Sequence, residues 1–248
     1  MSEDARTEWG QPSTEYGGPG PDRLGAALGD LARRLRGEKS EQNTLDAIVH
    51  AAVDTIPGAG HAGVSEVRRR RRIRTTAATA DVVRAVDEVQ YNADEGPCLS
   101  ALYEQVTVRV PDLAADPRWP RFTAGTAKLG IGSMLSFRLY TAEDDNLGVL
   151  NLYAERAGAF TDESEQVGLL FAAHAAVAMS DAQQVTQLTH ALGVRDVIGQ
   201  AKGILMERHR LTGDQAFASL VTSSQRTNMK LLEVALRLVE SGELPTPR

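Results

Sequence analysis

One cysteine, five histidines and a run of arginines are the side chains from which this 248-residue chain could build reactive or binding chemistry. Cys98 stands alone, so neither an internal disulfide nor a zinc site built on cysteine pairs can form. As a thiol it is a candidate redox sensor only if water reaches it and a neighbour lowers its pKa. A lone cysteine otherwise serves as a small buried apolar residue. His50, His61, His190 and His209 fall at no metal-ligand spacing, and His174 lies on an apolar helical stripe where a core position is expected. Arg68 to Arg72, with Arg74 behind, form the densest charge run, read either as a phosphate-binding patch or as a solvated hairpin tip. A Gly-rich phosphate loop, a G-x-S-x-G elbow and an H-E-x-x-H pair are all missing from the sequence, so no enzyme class is supported. No pattern marks a haem, a bilin or a metal, and no cofactor is identifiable.

The elements that must position these residues follow from composition and periodicity. The length suits two domains, and 42% apolar residues suffice for cores. The net charge of -6 argues against a chain coated in basic residues for indiscriminate nucleic-acid binding. From Thr186 onward the balance reverses, with eight Lys and Arg against six Asp and Glu. The acidic start is no signal peptide, and no run approaches a membrane span, so a cytoplasmic protein is expected.

Residues 1–22, rich in Gly and Pro, are expected to be a disordered tail. Residues 23–40 carry Leu24, Leu28, Leu31 and Leu35 at helical spacing, and Leu45, Ile48, Val49 and Val53 repeat the pattern in a second helix. Alternation then predicts strands at 62–67, 73–80, 106–110, 133–140 and 147–153, with helices at 82–91 and 122–129. This is an α+β domain, a mixed antiparallel sheet flanked by helices, over 41–181.

From Phe160 the pattern is helical, with Asp162 and Glu165 read as a capping pair and Val167, Leu170, Phe171, His174 and Ala178 as the core stripe. With no Pro and few Gly, this helix is expected to run through 182–193 as a linker, and its apolar edge at Val185, Leu188 and Leu192 suggests a dimeric coiled coil; a break near Gly193 is the alternative. Residues 194–248 then form three short helices in a compact bundle. Thr212 and Gln215 form a capping box for the second, whose core face is read as Ala216, Phe217, Leu220 and Val221. The third is expected from Thr227-Asn228, burying Leu231, Leu232, Ala235, Leu238 and Val239.

Three ordered blocks in this last segment carry a resemblance: Ile198-Gly199-Gln200-Ala201-Lys202-Gly203-Ile204-Leu205-Met206-Glu207-Arg208, then Ala216-Phe217 with Leu220, then Ser224-Gln225-Arg226-Thr227-Asn228 with Leu231 to Ala235. With that spacing the segment resembles the ANTAR family. The resemblance implies an all-α three-helix RNA-binding domain that engages, as a homodimer, leader transcripts carrying two neighbouring hairpins, and so prevents a terminator from forming. Lys202, Arg195, Arg226 and Lys230 are the expected RNA contacts, since loops expose phosphates and unstacked bases to Lys and Arg on a rigid helix. Gly199 and Gly203, one turn apart, permit close approach of RNA or of a packed helix, and Gln200 is a further candidate contact or cap.

The middle domain resembles a GAF domain of the type that precedes ANTAR in actinobacterial regulators of transcription antitermination. The resemblance rests on Ala62-Gly63-Val64-Ser65, Asp94-Glu95-Gly96-Pro97-Cys98-Leu99, Asp116-Pro117-Arg118-Trp119-Pro120, Leu147 to Tyr153 and Ala159-Phe160-Thr161. It implies a sensor of an unknown small-molecule signal, with Trp119 as a loop anchor. Asp94 replaces the family's glycine, and aspartate tolerates positive φ less easily. The expected protein is a signal-responsive antitermination regulator. A DNA-binding regulator and a docking protein that binds no nucleic acid are the alternatives.

Overall fold

The structure, a computed structural model, describes residues 40–68, 72–104, 106–141 and 146–246, together with 25, 29, 32, 33, 35 and 38. The expected tail over 1–22, most of the expected helix over 23–40, and the side chains of Arg68 to Arg72 lie outside the described residues. Leu35, within that expected helix, is helical and buried.

The chain divides into two compact units, residues 1–179 and 180–248. In the first, helix α1 (Glu41–Thr55) begins at Ser40, whose side chain accepts the Asn43 N–H at 3.1 Å. Strands β1 (His61–Arg68) and β2 (Arg72–Ala78) form a hairpin. Helices α2 (Asp81–Ala93) and α3 (Pro97–Tyr103), strand β3 (Thr107–Val110) and helix α4 (Pro120–Thr126) follow. Strands β4 (Ser133–Tyr140) and β5 (Asn146–Ala154) complete a five-stranded sheet of order β2-β1-β5-β4-β3, in which every pairing is antiparallel.

Both faces of this sheet are covered, so β4 and β5 are buried along most of their length although their sequences alternate. Leu135, Phe137, Leu139, Leu150 and Leu152 share a core with Ile48, Val49 and Ala52 of α1 and with Phe171, Ala175 and Met179 of the following helix. On the other face, Met134, Val149 and Tyr153 share a core with Val83, Val86, Cys98, Leu102, Trp119 and Phe122 from α2, α3 and the start of α4.

Helix α5 (Asp162–His209) is 48 residues long and passes through Gly193 without a break. Two expectations about it need correction. Its start is capped by Thr161 and Ser164, whose hydroxyls each accept the other's backbone N–H, at 2.9 and 3.4 Å. Asp162 and Glu165 instead pair with Arg109 of β3, at 2.8 and 3.6 Å. The core stripe is also rotated from the expected one. Val167, Phe171, Ala172, Ala175, Ala176 and Met179 face the sheet, whereas His174 is exposed, its ring Nδ1 2.8 Å from the Leu170 carbonyl, and Leu170 is 48% exposed. The physical reason is close approach. A Cβ on Gly168 would lie 2.2 Å from the Phe137 ring, so the helix meets the sheet at Gly168, with Phe171, Ala172, Ala175 and Ala176 buried below it, and Leu169, Leu170 and Val177 are left exposed.

In the second unit, α6 (Gly213–Thr227) starts at the expected capping box. Thr212 Oγ1 accepts the Gln215 N–H at 3.3 Å, and Gln215 Oε1 accepts the Thr212 N–H at 2.9 Å. Asn228, expected to open the third helix, closes the second in a left-handed conformation (φ 53°), and α7 (Leu231–Ser241) begins after Lys230. Ala201, Leu205, Ala216, Leu220, Val234, Ala235 and Leu238 form the core. Val234 is buried although the expected pattern passed it over, while Val221, Leu231, Leu232 and Val239 are only half-buried. Phe217, read as a core residue, is 42% exposed, because its neighbours Ala216 and Leu220 and the polar Ser223 occupy the buried face instead.

Candidate functional site

The C-terminal unit presents its candidate residues from the end of α5 and from the two helices after it. Gly199 and Gly203 are exposed, and a Cβ at either would meet nothing within 4 Å. Neither is there to let a neighbouring helix of this chain pack closely. Gln200 and Arg195 are exposed beside them on α5, and Arg226 and Lys230 are exposed at the end of α6 and the start of α7. Arg195, Lys202, Arg226 and Lys230 form no ion pair among the described residues. Lys202 is half-buried: its Nζ would lie 3.6 Å from a Cβ on Gly213, so its ammonium rests over the first turn of α6. Arg208, by contrast, is engaged internally, donating to the carbonyl of Gly242, and Arg237 pairs with Glu233 at 3.4 Å. Lys and Arg outnumber Asp and Glu in this unit only by eight to seven, so contact with a polyanion would rest on local cations such as Arg195, Lys202, Arg226 and Lys230, which have no acidic partner among the described residues.

The N-terminal unit holds a second constellation, one the sequence did not announce. Polar side chains from the sheet and α2 converge beneath α3, in an otherwise apolar layer. Asp87 of α2 is wholly buried. Its carboxylate accepts from Thr75 Oγ1 at 2.6 Å, from Gln90 Nε2 at 3.2 Å, from Ser65 Oγ at 3.5 Å and from the Tyr153 hydroxyl. Ser65 Oγ in turn accepts from Tyr91 at 2.8 Å and from Asn151 Nδ2 at 3.1 Å, and Ser136 donates to Asn151 Oδ1 at 2.8 Å. Gln90 ties the cluster to α3 by accepting the Cys98 N–H at 2.8 Å. Among the described residues no cation faces Asp87, so burial pushes its carboxyl up to about 6 against the opposing pull of the hydrogen bonds from Thr75, Tyr153, Ser65 and Gln90. Burial, with the adjacent Asp87 charge, likewise raises both tyrosine hydroxyls, Tyr91 and Tyr153.

Cys98 sits at the edge of this cluster, fully buried, and burial followed by the Asp87 charge pushes its thiol up to about 12. This environment is the opposite of the exposed, low-pKa thiolate that redox sensing requires. The helix that carries Cys98 was also missed, since seven residues are too few to display a helical period; Gly96-Pro97, with proline at its first position, was the available signal.

Asp94 does occupy the left-handed region (φ 53°, ψ 37°) that glycine would fill, as the C-cap of α2. The standard loop geometry is thus compatible with the substitution. Trp119 is nearly buried at the start of α4, and Arg118 lies over its ring at 4.2 Å while Asp116 holds the guanidinium at 2.6 Å. A surface cleft of about 500 Å³ opens here, lined in part by Leu99, Tyr103, Glu104 and Trp119.

The model of the GAF domain family matches residues 38–180, more than half of the chain. The chain belongs to the GAF domain family. A second family model, that of the ANTAR domain, matches residues 186–239. Together the matches describe a regulatory protein with a sensor domain. Among solved structures, the GAF domain of a phosphoenolpyruvate-protein phosphotransferase from Coxiella burnetii is 13% identical, covers 68% of this chain and 99% of its own, and superposes with a TM-score of 0.53. The corresponding Acinetobacter GAF domain is 13% identical over 66% of this chain and 98% of its own, with a TM-score of 0.51. The photosensory core module of a Stigmatella aurantiaca phytochrome is 12% identical over 84% of this chain and 46% of its own, with a TM-score of 0.57. At such identities the likeness is one of fold alone. No curated protein sequence matches the chain. Among the described residues, no helix is long and apolar enough to cross a membrane.

Proposed function

We propose that this GAF and ANTAR protein is a cytoplasmic, homodimeric regulator that binds RNA bearing two neighbouring hairpins and thereby promotes transcription antitermination in response to a small-molecule signal. The observation that carries the reading is the surface of the ANTAR-matching helices. Gly199 and Gly203 are open to solvent, and Arg195, Lys202, Arg226 and Lys230 have no acidic partner among the described residues. Two glycines inside a helix cost about 1 kcal/mol each relative to alanine. With no intramolecular contact to explain them, close approach by a partner's backbone accounts for their presence, and the cations make that partner a polyanion. Gln200, exposed between them, adds a donor and an acceptor for a base edge.

The dimer rests on Val185, Leu188 and Leu192, which recur at three- and four-residue spacing along α5 and are each more than half exposed. That spacing matches the seam of a coiled coil. On the sensor side, the cleft beside Trp119 and the buried Asp87 cluster are the places where a signal could bias the domain. To act, a signal must bind two conformations with different affinity.

RNA crosslinking and sequencing in cells, with wild type beside Lys202→Ala, tests the proposal. Recovery of two-hairpin leaders by wild type and their loss in the variant is the expected result. Preference for duplex DNA in a gel shift would replace this reading with the DNA-binding alternative, and recovery of no nucleic acid would replace it with the docking one.

A further inference from the structure

Phe217 leaves 42% of its surface in water although it lies in the second turn of α6, between the core residues Ala216 and Leu220. A single exposed phenylalanine is ordinary. Its surroundings are less so. Gly213 precedes Phe217 by one turn on the same side of α6. A Cβ on Gly213 would lie 3.6 Å from Lys202 Nζ and 3.9 Å from Met206 Sδ, so both side chains from α5 border that turn. Met206 is itself 40% exposed. The same surface thus holds an aromatic ring, a polarisable thioether and an ammonium with no acidic partner among the described residues, around a position where the backbone is bare.

We propose that Phe217 is a stacking platform for an unpaired base of an RNA hairpin loop, with Lys202 neutralising the adjoining phosphate. This rests on the RNA-binding reading above and adds to it the kind of nucleotide that is recognised. Single-stranded bases all offer a π-face, and sites that take them combine aromatic side chains with cations tracking the backbone. Base-paired RNA offers no such face, so the platform selects loops over stems. The alternative occupant of an exposed ring is a second protein surface. Protein interface cores are depleted of charge, whereas Lys202 borders Gly213, one turn from Phe217 on α6, and residues 186–239 carry seven Lys and Arg against four Asp and Glu. The charge favours RNA.

The test uses the full chain and a labelled two-hairpin RNA taken from a transcript crosslinked to wild type. Phe217→Leu keeps an apolar side chain but removes the π-face, and Phe217→Trp restores one. Affinity is expected to fall about tenfold in Phe217→Leu, the scale of one lost stacking contact. It is expected to stay within about twofold of wild type in Phe217→Trp. The salt slope should be unchanged in Phe217→Leu but smaller by about one in Lys202→Gln. An RNA with abasic loops should bind wild type and Phe217→Leu equally. If Phe217→Leu binds the intact RNA as wild type does, the platform is refuted while RNA binding stands. If it loses affinity only together with its dimeric state or its melting temperature, the ring has a structural or protein-contact role and the proposal is overturned. If wild type itself binds no RNA, the reading beneath it fails first.

Discussion

Asp87 is the residue whose chemistry the fold alters most, and the alteration makes stability depend on pH in an unusual direction. An aspartate with a basic partner has a lowered pKa and stabilises the fold as pH rises. Here burial without a cation raises the carboxyl from 3.8 to about 6. Between those values the native state holds a proton that the unfolded chain has released, so this group's contribution falls as pH rises through that window. Below 3.8 it costs nothing, and above 6 the full cost, about 3 kcal/mol, is present. Asp87→Asn cannot titrate. Urea midpoints measured for both proteins from pH 3.5 to 7.5 should therefore diverge, with wild type losing ground to the variant across the window. Parallel curves would show that Asp87 ionises without such a cost. Cys98 gives a simpler check at the same scale. Buried and with its thiol near 12, it should resist alkylation in the native protein and react at once in denaturant. Neither environment could be read from the sequence. Ser65, Thr75, Asp87, Asn151 and Tyr153 are spread between positions 65 and 153, and they meet only where β1 pairs with β2 and β5 and α2 packs over them.

At the scale of elements, α5 shows what periodicity can and cannot deliver. Its existence and the capping box of the next helix were legible, because each depends on neighbours in sequence, whereas its continuity through Gly193 stood open against a break there until the structure showed one helix. Which of its faces packs was not. Apolar residues lie on two sides of the helix, and a hydrophobic period gives no preference between a face of Leu and Val and one of Ala and Phe. The tertiary answer is set by Gly168, where α5 meets Phe137. The short Pro97–Tyr103 helix and the Thr161–Ser164 cap were missed for a related reason, since each is too brief for a period to register. Gly168, Gly199 and Gly203, three of the four glycines of α5, should consequently respond in opposite ways to alanine. Gly168→Ala puts a methyl 2.2 Å from the Phe137 ring and is expected to destabilise by about 1–3 kcal/mol through overpacking. Gly199→Ala and Gly203→Ala meet open space and should each stabilise by roughly 0.5–1 kcal/mol by reducing backbone freedom in the unfolded state. Thermal melts establish the stability half. If RNA approaches these glycines, the same two stabilised variants should bind the two-hairpin RNA more weakly, and unchanged affinity would remove them from the interface.

For the whole molecule, the proposed dimer has a physical rationale. One ANTAR-matching unit presents a small surface with few free cations, and a few phosphate contacts hold RNA weakly at cellular salt. Two linked units facing two hairpins turn the second contact into an intramolecular one, with a large gain in avidity and no new interaction at either site. In the proposed dimer the link is the seam at Val185, Leu188 and Leu192, of which Leu188, 64% exposed, is the most uncovered member. Leu188→Asp places a charge in that seam without touching the core of either compact unit, since Leu188 is not part of any buried cluster. The variant should be monomeric by light scattering while its circular dichroism retains the helical signal of wild type. Its affinity for a single hairpin should be unchanged, whereas its affinity for the two-hairpin RNA should fall at least tenfold, toward the single-hairpin value. The comparison separates dimerisation from recognition: a monomer that still prefers two hairpins would mean that one unit reads both, and a variant that stays dimeric would move the seam elsewhere on the chain.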